Sequence, residues 1–155
     1  MARLGIVQGR TATTFDPTAP ITRAQLAAIC ARFDTGKSEG GQTFTDIQRH
    51  WAQDYIERAA ELGWIRGYKD GTFCPDAYIT RAQATTMINR VLNRIPEDAD
   101  DLRKDMNVWP DCNPGDWFCL AVQEATNSHD YKHKAGSCET WTGMNGDRDW
   151  SRYEN

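Results

Sequence analysis

The sequence predicts a mainly α fold, in which short helix–loop–helix units repeat along the chain and pack on one another. Two observations carry that expectation: an internal repeat without gaps, and apolar residues at helical spacing inside each copy. Leu4 to Phe33 aligns with Leu62 to Val91, so that "LGIVQGRTATTFDPTAPITRAQ" lies over "LGWIRGYKDGTFCPDAYITRAQ". Each copy is one supersecondary unit that cannot enclose a core alone, so neighbouring copies must pack together. Ahead of the second copy runs "FTDIQRHWAQDYIERAAELG", and a weaker echo, "WPDCNPGDWFCLAVQEATN", begins at Trp109. The 155 residues therefore read as a single domain. It comprises the second half of module 1 (1–33), a complete module 2 (44–94) and a divergent module 3 (107–155). The segments "DTGKSEGGQT" and "PEDADDLRKD" are polar connectors, too short to separate independent domains.

In the opening helix of the complete unit, Trp51, Tyr55, Ile56, Ala59, Ala60 and Leu62 recur near helical spacing. Asp54 and Arg58 stand at i,i+4 as an expected ion pair, and Gly63 is placed for a left-handed C-terminal cap. The loop that follows turns on Gly67 and Gly71, with Asp70 available to close it and Tyr68 and Phe73 supplying aromatic surface. It is not a phosphate cradle, because it lacks both the spacing and the lysine of a P-loop. The second helix carries Ala84, Met87, Ile88, Val91, Leu92 and Ile95 as one apolar stripe, with Pro96 expected to stop it. In the half unit the corresponding stripe is Leu26, Ile29, Cys30 and Phe33.

Both second helices open in the same way. Thr22 with Gln25, and Thr80 with Gln83, have the spacing of a capping box, which satisfies two free backbone donors reciprocally. Arg23 and Arg81 then occupy the first helical position, where the positive end of the macrodipole disfavours a cation by roughly 0.3–1 kcal/mol. Something negative should offset each arginine. The source is either an internal acid, such as Asp46, Asp70 or Glu124, or a ligand anion held by free helix N–H groups and a guanidinium fork.

Composition narrows the partners. A formal charge of −4 with both signs mixed leaves no extended basic face for a nucleic acid. No apolar run approaches the roughly 18 residues of a membrane span. The amino terminus lacks the layout of a signal peptide, so export would make this chain a piece of a longer protein. The five cysteines, Cys30, Cys74, Cys112, Cys119 and Cys138, are odd in number and contain no C-x-x-C pair, against both a full disulfide framework and a zinc ribbon. Cys30 reads as core. A bridge among Cys112, Cys119 and Cys138 is open to an oxidising compartment, without a pair that spacing selects.

The run "FTDIQRHWAQDYIERAAELGWIRGYKDGTFCPDAYITRAQATTMINRVL" resembles a surface-layer homology (SLH) module. The Phe-x-Asp opening, His-Trp-Ala, Gly-Tyr-x-Asp-Gly-Thr-Phe and Thr-Arg-Ala motifs follow in order. The half unit resembles the back of a preceding module, and "WFCLAVQEATNSHDY" and "ETWTGMNGDRDW" are similar to a divergent closing module. The resemblance implies three modules around a pseudo-threefold axis, forming a helical bundle with loop prongs. It also implies an extracellular role, the non-covalent anchoring of exported proteins to the bacterial cell wall or S-layer through secondary wall polysaccharides that often carry pyruvylated sugars. The family's main polymer contact is the arginine of Thr-Arg-Ala, which carries over to Arg81 and Arg23. Asp46 and Trp51 would line a groove wall, with Asp111 and Trp117 as their counterparts in the third unit. Gly67, Tyr68, Gln25 and Gln83 complete the candidate set, and no cofactor is implied.

Several residues depart from the family pattern. Its motif usually ends in Glu, where Gln25 and Gln83 stand here; the cap survives the change, but a charge beside each arginine is gone. The first copy reads "GRTATTF" in place of "GYKDGTF", and the third unit has no Thr-Arg-Ala, so at most two grooves are expected to work. Two other readings compete. One is a protein–protein module that self-associates through the incomplete first module. The other is a metal-dependent enzyme, with His129, His133 and Cys138 plus Asp130 or Cys112 as ligands, against solvated histidines in a polar loop. No nucleophile elbow or cofactor fingerprint is present, so no catalytic residue is assigned.

Overall fold

The computed structural model describes residues 6–11, 13–40, 44–134 and 138–146. Among them lie four α-helices: α1 (Arg23–Ala31), α2 (Gln53–Glu61), α3 (Arg81–Val91) and α4 (Cys119–Thr126). A 3-10 turn at Ala99–Asp101 and one antiparallel pair, β1 (His129–His133) with β2 (Glu139–Met144), complete the regular structure. The fold is mainly α. The chain divides into two compact units, residues 1–88 and 89–155.

In the first unit α1 packs on α2. The buried side chains of α1 are mostly alanines, Ala24, Ala27, Ala28 and Ala31, with Cys30 among them. Ala52, Ile56, Ala59 and Ala60 are buried on and just before α2. Small residues on both helices favour close approach of their backbones. That explains why the bulkier stripe read from sequence is displaced: Leu26 and Ile29 are half-buried and Phe33 is 52% exposed. Ile47 and Phe73, both 0% exposed, fill the remaining space, and burying side chains of this size contributes roughly 1.5–3 kcal/mol each. Burial pushes the Cys30 thiol up to about 11, in keeping with a core position.

The helix ends follow local chemistry. Gly63, at φ 71°, closes α2 with its N–H on Ala60 O at 2.9 Å and the Trp64 N–H on Ala59 O at 2.9 Å, the left-handed cap expected there. α3 stops earlier than its apolar stripe suggests. Asn93 adopts the left-handed conformation at φ 54°, and the Arg94 N–H returns to Asn89 O at 2.8 Å, so Asn93 rather than Pro96 ends the helix. Arg58 also departs from expectation. It turns from Asp54 to Asp34, at 2.7 and 2.8 Å, and its hydrogen bond holds Asp34 below the usual carboxylate range.

In the second unit β1 and β2 form a hairpin where a polar loop was expected, with an irregular register between Asp130 and Tyr131. Its interior is polar. The Arg94 guanidinium reaches Glu139 Oε2 at 2.7 Å, Glu124 Oε1 at 2.9 Å and His129 Nε2 at 2.6 Å, and lies 3.9 Å from the Tyr131 ring centroid. His129 Nδ1 donates to the Asn127 carbonyl oxygen at 2.8 Å, leaving Nε2 to accept from Arg94. The imidazole stacks on Trp141 at 3.9 Å, and the indole N–H donates to Glu124 Oε2 at 2.8 Å.

Two buried carboxylates against one guanidinium require one proton for neutrality. Burial, reinforced by the neighbouring Glu139 carboxylate, pushes Glu124 up to about 8, against the pull of the Trp141 N–H and Arg94. The folded value exceeds the ordinary value of 4.5, so this contribution to stability is fully present below 4.5 and is lost as pH rises through about 8. The melting temperature of this unit should therefore fall between about pH 5 and about pH 8, as read from hydrogen exchange of peptides containing Trp141. Glu124→Gln, which keeps an oxygen acceptor for Trp141 without the ionisation, should lack that fall; an unchanged pH slope would show that the proton resides elsewhere.

Candidate functional site

The start of α1 is enclosed by the loop of the complete module. Thr22 Oγ1 accepts from the Gln25 N–H at 3.2 Å while Gln25 Oε1 accepts from the Thr22 N–H at 2.9 Å, the expected capping box. The two donors a capping box leaves open, the N–H groups of Arg23 and Ala24, reach Ala77 O and Pro75 O, each at 2.9 Å. Arg23 itself is 6% exposed. Its Nε donates to Phe73 O at 2.8 Å, and its guanidinium lies 4.5 Å from the Phe73 ring and 5.0 Å from that of Tyr68.

Asp46 faces the other side of the same backbone. Its two carboxylate oxygens accept from the Phe73 N–H at 2.8 Å and the Cys74 N–H at 2.7 Å, with Cys74 turned to φ 55°. The Phe73–Cys74 peptide thus has its carbonyl on the arginine and its N–H on the aspartate, its dipole aligned with both charges. Arg23 and Asp46 are thus joined through one peptide group rather than by contact.

The loop tip is held by short bonds. Asp70 Oδ1 accepts from the Thr72 hydroxyl at 2.7 Å and the Thr72 N–H at 3.0 Å, which together hold Asp70 below the usual carboxylate range. Gly71 stands at φ 84°. Gly67 is required for a different reason, since a Cβ there would overlap the Phe44 ring and the Thr72 carbonyl oxygen. Gly67 and Tyr68 line a depression of about 400 Å³ with Phe44, Ile65 and Arg66.

At α3 the same cap leads to a different outcome. Thr80 Oγ1 and Gln83 Oε1 repeat the reciprocal bonds at 3.2 and 3.1 Å, and Gln83 Nε2 donates to the Tyr68 hydroxyl at 3.3 Å. Yet Arg81 is exposed. Among the described residues, neither its guanidinium nor the N–H groups of Arg81 and Ala82 have a hydrogen-bond partner. Among the described residues, nothing fills at α3 the position that loop carbonyls fill at α1.

Gln25 and Trp51 meet in a larger cleft of about 520 Å³, lined by Ala28 and Ile29 of α1, by Arg32 just past its end, and by residues 7–10, 15–17 and 19–21. Trp51 is 59% exposed beside His50, whose Nδ1 accepts from the Ala52 N–H at 3.2 Å and whose Nε2 lies 3.3 Å from Asp76. Arg10 in this cleft is paired with Asp16 at 2.7 Å, and Arg32 donates to Ile6 O at 3.2 Å. Asp111 and Trp117 belong to the second unit, where both are exposed, Trp117 at 67% with its ring edge-on to Phe118.

The metal ligands considered from sequence are not brought together. His129 is inside the Arg94 cluster, whereas His133 is exposed on β1 with its ring 5.2 Å from Tyr131. Glu124, His129 and Glu139 do converge within 4.8 Å, a grouping that sequence spacing did not reveal. Arg94 already supplies the cation there, at 2.6–2.9 Å from all three.

Residues 1–27 and 43–85 match the S-layer homology domain. The chain is 38% identical over 125 residues to a cellulosome-anchoring protein of Acetivibrio thermocellus, a match covering 77% of this chain and 27% of that protein. It is 34% identical over 140 residues to cell surface glycoprotein 1 of the same organism, covering 82% of this chain and 6% of the relative. A match to endo-1,4-beta-xylanase A of Thermoanaerobacterium saccharolyticum, 36% identical over 109 residues, covers 68% of this chain and 8% of the enzyme. The chain thus spans only a small part of the relatives it matches. No helix among the described residues is long and apolar enough to cross a membrane.

Proposed function

We propose, on the premise that this chain belongs to the S-layer homology domain family through residues 1–27 and 43–85, that it is a non-covalent cell-wall anchor of a larger exported protein. Its ligand in this reading is an anionic secondary wall polysaccharide, with pyruvylated sugars as the charged groups. The contrast between the two helix starts carries the proposal. Folding compensates Arg23 through Asp46 and the Phe73–Cys74 peptide, whereas Arg81 presents a guanidinium and two N–H donors together, with no partner among the described residues. A helix start with an unpaired arginine suits a carboxylate, which accepts from the fork and from the backbone at once. A pyruvyl ketal carries one such carboxylate.

In this reading Arg81 makes the charged contact, while Gln83 and Tyr68, joined at 3.3 Å, fix the adjoining surface. Arg23, Asp46 and Gly67 hold the loop in shape. Trp51 and Gln25 offer the 520 Å³ cleft to uncharged sugar rings, which stack on exposed indoles. Asp111 and Trp117, also exposed, take the corresponding roles in the third module. The protein acts by binding rather than by catalysis. A self-assembly role is the second reading, favoured by the exposed Phe15 (62%) and Phe33 (52%).

Co-sedimentation with purified bacterial cell walls tests the proposal. Binding should be strong to intact walls and lost after acid extraction of the wall polysaccharide. Equal sedimentation with the stripped peptidoglycan would sink the polysaccharide reading, and concentration-dependent mass in light scattering without wall binding would favour self-assembly.

A further inference from the structure

All five cysteines are thiols in this structure. Two of them occupy one place. Cys112 and Cys119 are 8% and 7% exposed, at the two ends of the loop that enters α4. Cys112 Sγ lies 3.8 Å from Cys119 O, and Cys119 Sγ lies 3.6 Å from Cys112 O, so each sulfur sits against the other residue's backbone.

The intervening loop is fixed by its own bonds. Cys112 N–H reaches Trp109 O at 3.0 Å, Asn113 N–H reaches Asp116 Oδ2 at 2.9 Å, and Cys119 N–H reaches Asp116 O at 3.0 Å. With the Asp116 N–H on Asn113 O at 2.9 Å, these bonds set Cys112 and Cys119 facing each other, each sulfur against the other's carbonyl oxygen, without help from a cross-link. Cys30 is buried inside α1 of the other unit, and Cys138 lies just before β2, where its carbonyl accepts from the Lys134 N–H at 2.9 Å.

We propose that Cys112 and Cys119 are a disulfide-forming pair, closed in an oxidising compartment and stapling the loop that follows Asp111 and carries Trp117. The co-reactant is a disulfide oxidant, small or protein-borne. One cysteine thiolate attacks it and releases a thiol; the second then displaces the remaining half, giving the Cys112–Cys119 bond and two reduced thiols. Both cysteine protons go to the leaving thiolates, and the two electrons reduce the oxidant's S–S bond. Burial, together with the adjacent Cys119 thiol, pushes Cys112 up to about 12. Closure therefore belongs to folding, before the site is sealed, and the finished bond is shielded from reductants. The proposal does not depend on the identity of the wall ligand.

The whole chain, refolded with oxidised and reduced glutathione and then alkylated under denaturing conditions, tests it. The intact mass should show three alkylated cysteines and the loss of two hydrogen atoms. Cleavage before Asp116 should yield two peptides that stay joined until reduction, because that residue lies between the two cysteines. The oxidised chain should melt roughly 5–10 °C higher in its second unit than the reduced chain. The Cys112→Ser/Cys119→Ser variant should lose this redox dependence while keeping its helical signal. Alkylation of all five cysteines, or a bridge that includes Cys138, would overturn the assignment.

Discussion

Replacing Arg23 with alanine should destabilise the first unit by on the order of 3 kcal/mol. The substitution removes a charge-assisted bond to Phe73 O and the stacking on two rings, and leaves a buried carbonyl unpaired. It also strips the cation from a peptide whose other end is held by Asp46. Hydrogen exchange followed by mass spectrometry reads this locally: peptides containing Phe73 and Cys74 should lose protection, and Asp46→Ala should affect the same peptides. Arg23→Lys keeps a charge but neither the planar face nor the fork, so it should recover only part of the stability. If Arg23→Ala left exchange untouched and weakened only wall binding, Arg23 would be a ligand contact and the peptide relay would carry little weight.

Arg81→Ala should do the reverse. Loss of one charge-assisted contact weakens wall binding by about 1.5–3 kcal/mol, or roughly 10- to 150-fold, in a sedimentation isotherm. Melting should stay constant or rise slightly, because a cation leaves the positive end of α3. High salt should weaken the wild type more than the variant, as it screens an exposed charge. Unfolding of Arg81→Ala, or unchanged affinity, would mean that the arginine is compensated inside the protein.

The parts of the fold that were legible from sequence are those fixed by neighbours in the chain. Both capping boxes and the Gly63 cap follow from spacing alone, because their partners lie within a few residues. What escaped was set by distant partners or by the backbone. Asp34 takes Arg58 from Asp54 across a long sequence separation. Asp46 is among the acids that sequence offers to Arg23, but side-chain identities alone do not reveal that a peptide group stands between them. The hairpin was missed because "HDYKH" shows no apolar alternation; its inward residues include His129 and Glu139, which are buried through one another and Arg94. At the candidate site, the motif gives the two arginines equal standing, and what distinguishes them is the enclosing loop, whose Phe73, Pro75 and Ala77 carbonyls take the Arg23 guanidinium and the first N–H groups of α1.

The peptide relay also bears on where this protein can be cut. The cation comes from the first repeat, and the anion and bridging peptide from the second, so the sequence repeat and the smallest self-sufficient fragment do not coincide. A fragment beginning at Phe44 would retain Asp46 and the loop but present an empty socket where the guanidinium of Arg23 belongs. Dissection into single repeats would separate plug from socket, while a boundary drawn inside a repeat keeps them together.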